Sequence, residues 1–220
     1  MNPQLSTQLR HLRLSGFVQA LPIRLEQARS AGLDYLEFLE LLVQDEMARR
    51  ADRLFQRRLK QATIEQVKEF SDFDWSFNPK LPRAQLIELA TGRFVAEHRN
   101  ALLIGPPGVG KSHASIAVAV GAIRAGYRVL LRNVFDLAQD FAEAEALGER
   151  RELVQKLTRF DLLILEDFGM KKLRATAAED LLELFVRRHE KASTIVTTNR
   201  PTQDWGKFLE DVPATTAILD

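Results

Sequence analysis

Eight consecutive residues carry the clearest chemistry in the sequence: Gly105, Pro106, Pro107, Gly108, Val109, Gly110, Lys111 and Ser112. They satisfy the pattern G-x-x-x-x-G-K-[ST] at every fixed position, with an apolar run, Ala101–Ile104, ahead and a helical pattern behind. Glycines let such a loop bend until successive backbone N–H groups converge on phosphate oxygens. The helix N-terminus that follows already favours an anion through its dipole. Lys111 is placed to reach the β- and γ-phosphates of a nucleotide, and the Ser112 hydroxyl to ligate Mg²⁺.

A phosphate cradle of this kind also needs a carboxylate for the metal, delivered by a neighbouring strand. Leu162, Leu163, Ile164 and Leu165 form an apolar run that ends in Glu166 and Asp167. The usual order is Asp for the metal and Glu for the attacking water, and here it is inverted. Taken by position, Glu166 is the metal-side acid and Asp167 polarises water. One side chain gains and the other loses a bond of about 1.5 Å, so either acid can serve the metal. A doubled acid is the mark of a P-loop protein that hydrolyses its nucleotide, whereas a small-molecule kinase does not need it. A further apolar run, Thr194–Thr197, leads to Thr198, Asn199 and Arg200. At a strand end beside the cradle, Asn199 is a candidate to touch the γ-phosphate or the attacking water.

The elements that must hold these groups are legible from periodicity. Strand-like runs at 101–104, 127–132, 161–165 and 194–197 alternate with helical patterns at about 112–125, 134–146, 149–158 and 176–190. This alternation predicts an α/β fold with a parallel sheet and flanking helices. The first 98 residues read helical almost throughout. Leu5, Leu9 and Leu12 recur at one-turn spacing, Gly16 and Pro22 punctuate the next stretch, and Gly32 stops it. Asp34 and Glu37 make a capping box, and the stripe Leu36, Leu39, Val43, Met47, Ala51 and Leu54 predicts a helix of about 28 residues. Asn78, Pro79 and Pro82 mark a linker. The division expected is an all-α domain over 1–80 and a P-loop core over 81–220. Phe70, Phe73, Trp75 and Phe77, just before the linker, are expected to be buried at a helix-to-core junction.

Composition narrows the classes without selecting one. Hydrophobic residues make up 45% and charged residues 28% of 220, which are globular values. There is no cysteine, so cysteine metal sites and nucleophiles are excluded and a reducing, cytoplasmic setting is expected. No apolar run is long enough for a membrane helix. With 31 basic and 30 acidic residues, any electrostatic message lies in the distribution. It is uneven along the long helix, where residues 26–46 carry six acids and one Arg, while 49–60 carry six bases and one Asp. Arg49, Arg53 and Arg57 fall on one face as a ridge able to contact DNA phosphates. Lys171, Lys172 and Arg174, and the pair Arg150 and Arg151, are further candidates. Solvated surface charge is the other reading of each set, and for the ridge on the long helix it is the favoured one.

Taken together, Gly-Pro-Pro-Gly-Val-Gly-Lys-Ser-His at 105–113, Leu-Leu-Ile-Leu-Glu-Asp-Phe-Gly at 162–169 and Ser-Thr-Ile-Val-Thr-Thr-Asn-Arg-Pro at 193–201 resemble the IstB-like ATP-binding proteins. Asp-Trp-Gly at 204–206 and Ala-Ile-Leu-Asp at 217–220 extend the likeness over almost the whole chain. These are AAA+ helper ATPases of insertion sequences, close in pattern to DnaC-like helicase loaders. His113 and the Phe168-Gly169 pair point to this clade more narrowly than the P-loop does. The resemblance implies a homo-oligomer, assembled through the AAA+ core and the N-terminal helices, that uses ATP and Mg²⁺ to select or deform target DNA and to recruit and stimulate a transposase. Residues 105–113 would form the nucleotide site. Lys111, Glu166, Asp167 and Asn199 would be catalytic, and Ser112 with the two acids would hold the metal. The helical N-terminal part would serve assembly and DNA or partner contact. A helicase loader with ATP as its switch is the second reading, and a binding module without hydrolysis the third. Members of the family continue past Ile-Leu-Asp with an Arg, a last strand and a helical lid. The expectation is therefore a core truncated before the lid, hydrolysing slowly.

Overall fold

Asn2 caps the first helix, its side chain accepting a hydrogen bond from the Gln4 N–H at 2.9 Å, and Pro3 occupies the first helical position. That helix, α1, spans Pro3–His11, and α2 spans Ser15–Ala31 before the left-handed Gly32. Pro22 lies inside α2, so the break expected there does not occur: the proline removes one donor and the helix continues. Gly16 sits in the first turn of α2 for a reason of space. A Cβ there would lie 2.6 Å from the Glu46 Cα of the next helix. This helix, α3, spans Tyr35–Gln61. Its start is the capping box read from the sequence, with the Glu37 N–H donating to Asp34 Oδ1 at 2.8 Å and the Asp34 N–H to Glu37 Oε2 at 2.9 Å.

The computed structural model describes residues 2–170, 173, 175–209, 215, 216 and 218, and it divides into two compact units, Met1–Arg57 and Arg58–Asp220. Within the first, Glu46 is buried and accepts the Gly16 N–H at 2.5 Å, while Arg24 forks onto Asp45 through two contacts of 2.8 Å. Burial works against the Glu46 charge, but hydrogen bonds from Arg50 and the N–H groups of Gly16 and Phe17 outweigh it and hold its carboxyl below the usual range. Leu36, Leu39, Val43 and Met47 of α3 remain exposed.

The second unit begins upstream of the division at 80/81 that the sequence suggests. Residues 58–80 belong with the sheet: the Leu131 N–H donates to the Ala62 carbonyl at 3.1 Å, and Ala62 and Ile64 are buried. After α4 (Arg83–Ala90) and α5 (Arg93–Ala96) come β1 (Ala101–Ile104), α6 (Lys111–Arg124), β2 (Val129–Asn133), α7 (Val134–Leu147) and α8 (Arg150–Thr158). Then follow β3 (Leu162–Phe168), α9 (Ala175–Arg188), β4 (Ser193–Thr198) and α10 (Trp205–Leu209). All strand pairs are parallel, in the order β1-β4-β3-β2. Helix α6 covers one face, approached so closely by α4 that a Cβ on Gly121 would run into the Ala90 carbonyl oxygen. On the other face α7, α8, α9 and α10 bury Leu137, Phe141, Leu157, Leu181 and Trp205 against Leu163, Leu165 and Val196. No described helix is long and apolar enough to cross a membrane.

One buried cation ties the ends of this layer together. Arg188, 2% exposed, donates to the carbonyls of Leu157 (3.0 Å), Phe160 (2.8 Å) and Ser193, and to the Thr194 hydroxyl (3.1 Å). Burial pushes its guanidinium down to about 10, against the pull of Asp161.

Candidate nucleotide site

The strand order decides what meets what. Because β4 lies between β1 and β3, the end of β4 separates the P-loop from the acidic pair and presents Asn199 to both. The Gly105 N–H donates to the Thr198 carbonyl at 3.1 Å, carrying the β1–β4 ladder into the loop. Gly108 (φ +80°) and Gly110 (φ +97°) then turn the chain through the left-handed region, which a side chain would strain. A Cβ on Gly110 would also lie 2.9 Å from the Phe73 ring. Helix α6 starts immediately afterwards with no side-chain cap, so its first N–H groups remain available to an anion. Lys111 Nζ meanwhile donates to the carbonyls of Gly105 (2.7 Å) and Pro106 (2.8 Å). Burial lowers its pKa and the Asp167 charge works the other way.

The two acids are sent in different directions. Strand β3 runs on through both of them, with a register shift against β4 between Leu165 and Phe168. Asp167 takes φ +60°, a left-handed conformation that Asp tolerates better than most side chains. Glu166 Oε1 accepts from the buried Ser115 hydroxyl at 2.7 Å, on the second turn of α6. Its carboxyl is pushed up by burial first and by Asp167, while Ser115, Ser112 and the charge of Lys68 oppose the shift. Asp167 faces the cavity, its Oδ2 accepting from Asn133 Nδ2 at 2.6 Å.

The cavity enclosed is about 390 Å³ and is bordered by Pro107, Gly108, Gly110, Lys111, Ser112 and His113 on the loop side. Lys68, Asp167, Met170, Thr197, Thr198 and Asn199 complete it. Asn199 Oδ1 is buried with no hydrogen-bond partner among the described residues. An acceptor left without a donor in a polar cavity is suited to a water that must be held by its hydrogen. Carboxylate, hydroxyl and ammonium groups in this arrangement fit a hydrated divalent cation and a polyphosphate.

The structure thus brings Lys111, Ser112, His113, Glu166, Asp167 and Asn199 together. The cationic candidates differ one from another in what holds them. Arg49 is bound back onto α2, at 3.3 Å from the Ser15 hydroxyl and on Gln19, whereas Arg53 and Arg57 are exposed. Arg150 is held by Asp180 (2.8 Å) and Glu183 (2.6 Å), and Arg151 is exposed. Lys171, Lys172 and Arg174 lie outside the described residues. Phe70, Phe73 and Trp75 cluster with ring centroids 4.6–5.9 Å apart, half-buried behind the P-loop, but Phe77 is exposed, contrary to expectation. Asn133, Ser115 and Lys68 are the groups that the sequence reading missed. Asn133 becomes visible only through the β2–β3 register, which sets it beside Glu166.

The sequence pattern of the IstB-like ATP-binding protein family matches residues 7–220. A Pseudomonas aeruginosa protein named as an ATP-binding protein of insertion sequence IS21 is 38% identical over 98% of this chain and 80% of its own length. A Mycobacterium tuberculosis protein, named as an ATP-binding protein in an insertion sequence, is 36% identical over 100% and 88%. Among solved structures, DnaI matches 69% of this chain and 85% of its own with a TM-score of 0.58 at 22% identity. The DnaC helicase loader matches 66% and 89% with a TM-score of 0.53 at 20% identity. A DNA replication initiation factor reaches a TM-score of 0.60 at 20% identity over 69% of this chain, which spans 46% of it. These structural likenesses show the AAA+ fold.

Proposed function

The chain belongs to the IstB-like ATP-binding protein family, and from that premise we propose that it is an ATP-hydrolysing, DNA-binding helper of transposition that assembles on target DNA and recruits and stimulates a transposase. The observation that carries the ATPase part is the cavity in which Lys111, Ser112, Asp167 and Asn199 converge around a P-loop. Membership of a family named for insertion sequences favours transposition over helicase loading, because the likeness to DnaC and DnaI is one of fold.

In this reading Lys111 leaves the loop carbonyls and donates to the β- and γ-phosphates, joined by the first N–H groups of α6. Ser112 and Glu166 hold Mg²⁺, which when bound neutralises phosphate charge as it develops. Asp167 accepts a hydrogen from the attacking water, Asn133 fixes that carboxylate, and Asn199 Oδ1 holds the water's other hydrogen. The N-terminal helices α1 to α3 serve assembly and DNA or partner contact. The exposed stripe Leu36, Leu39, Val43 and Met47 supports an assembly role, and Arg53 and Arg57 support contact with DNA phosphates.

Retention of the full chain on duplex DNA, measured with and without ATP at several salt concentrations, tests this function. ATP should strengthen retention, and Arg53→Ala with Arg57→Ala should lower the slope of log affinity against log salt by about 2. Addition of the transposase should then yield a ternary complex. Retention indifferent to both ATP and the double substitution would refute the DNA-binding part.

A further inference from the structure

We propose that Lys68 is a second phosphate-binding lysine of the cavity, supplied by the segment that precedes the P-loop core. The inference rests on the ATP-site reading above and extends it to a residue outside every motif of the P-loop type. Lys68 borders the same cavity as Lys111 and Ser112, is half-buried, and has no hydrogen-bond or ion-pair partner among the described residues. An ammonium group at the cavity rim with no partner of its own is free to pair with an anion that enters.

Its placement is not left to a loose chain. The neighbouring residue, Glu69, is fastened to α6 twice: its carbonyl lies 3.1 Å from His113 Nε2, and its carboxylate pairs with Arg124. Four residues further on, Phe73 meets the His113 ring edge-on at 4.8 Å and packs against Gly110. These contacts seat the segment on the P-loop helix itself, with Lys68 at the cavity's rim. Charge accounting points the same way. The end of β3 carries two carboxylates, Glu166 and Asp167, against the single ammonium of Lys111, an excess of negative charge beside the place where a polyanion must bind. Lys68 balances it and already acts electrostatically on Glu166. A lysine is a suitable donor here, since its point charge and three hydrogens accept many phosphate geometries.

The test is titration of the full chain with ATP and with ADP in the presence of Mg²⁺, for the wild type, Lys68→Gln, Lys68→Arg and, as control, Lys111→Ala. Lys68→Gln should weaken ATP by about tenfold, Lys68→Arg should stay within about threefold, and the melting temperature without nucleotide should be unchanged. ATP affinity of Lys68→Gln equal to the wild type, while Lys111→Ala loses binding, would overturn this inference alone. Equal losses for Gln and Arg, or a melting temperature that falls with the affinity, would overturn it in favour of a packing role. A wild type that binds no ATP would overturn both this inference and the site reading.

Discussion

Asp167→Asn is expected to bind ATP within about threefold of the wild type and to hydrolyse it about 10²–10³-fold more slowly, the loss typical of removing a positioned general base. The reason lies in the split between neighbouring acids. Asp167 faces the cavity with Asn133 at 2.6 Å, while Glu166 is turned to Ser115 at 2.7 Å beneath the P-loop helix. Glu166→Gln should therefore fail differently, losing the Mg²⁺ dependence of binding as well as turnover. It should also melt at a higher temperature than the wild type without nucleotide at neutral pH. Burial pushes the Glu166 carboxyl up, so its contribution to stability is present below the ordinary glutamate range and is lost as pH rises through the raised value. Glutamine removes that titration, and the advantage over the wild type should vanish in acid. Steady-state turnover, ATP titration with and without Mg²⁺, and melting curves across pH read these outcomes. If the two variants were interchangeable, the assignment of separate roles would be wrong.

Arg188→Met is expected to cost about 3–5 kcal/mol of stability, seen as a fall in melting temperature of roughly 6–20 °C. The side chain is 2% exposed and supplies the donors for three backbone carbonyls and the Thr194 hydroxyl. Methionine fills much of the volume but leaves those acceptors unpaired, and an unsatisfied buried acceptor costs more than a hydrogen bond normally contributes. Arg188→Lys should recover little, because one ammonium cannot span four acceptors that a planar guanidinium reaches at once. Thermal and urea unfolding measure both. A methionine variant as stable as the wild type would show that those carbonyls find other partners.

Local order was readable because it is written in short patterns. The P-loop, the four apolar runs and the capping box at Asp34 and Glu37 each depend on residues within a few positions of one another, and each is found where the pattern sets it. What escaped depends on distance in the chain. Asn133 matters only because β2 pairs with β3 in a particular register, and Ser115 only because that strand end packs under α6. Arg49 lay on the same helical face as Arg53 and Arg57, but its side chain is taken by α2, which periodicity cannot foresee. The division near residue 80 followed prolines and polar residues, yet the preceding segment is seated on the sheet through Ala62 and on the P-loop helix through Glu69. Pro22 punctuates the pattern, yet α2 runs through it and ends at Gly32, where the pattern stops.

Equilibrium titration of ATP against the wild type and Lys111→Ala decides whether the cavity above the P-loop is an ATP site organised by Lys111. Saturable binding to the wild type that requires Mg²⁺ for full strength, weakened about 100-fold or more by Lys111→Ala, is the predicted result. A wild type without measurable affinity, or a Lys111→Ala chain that binds ATP as tightly as the wild type, would contradict it.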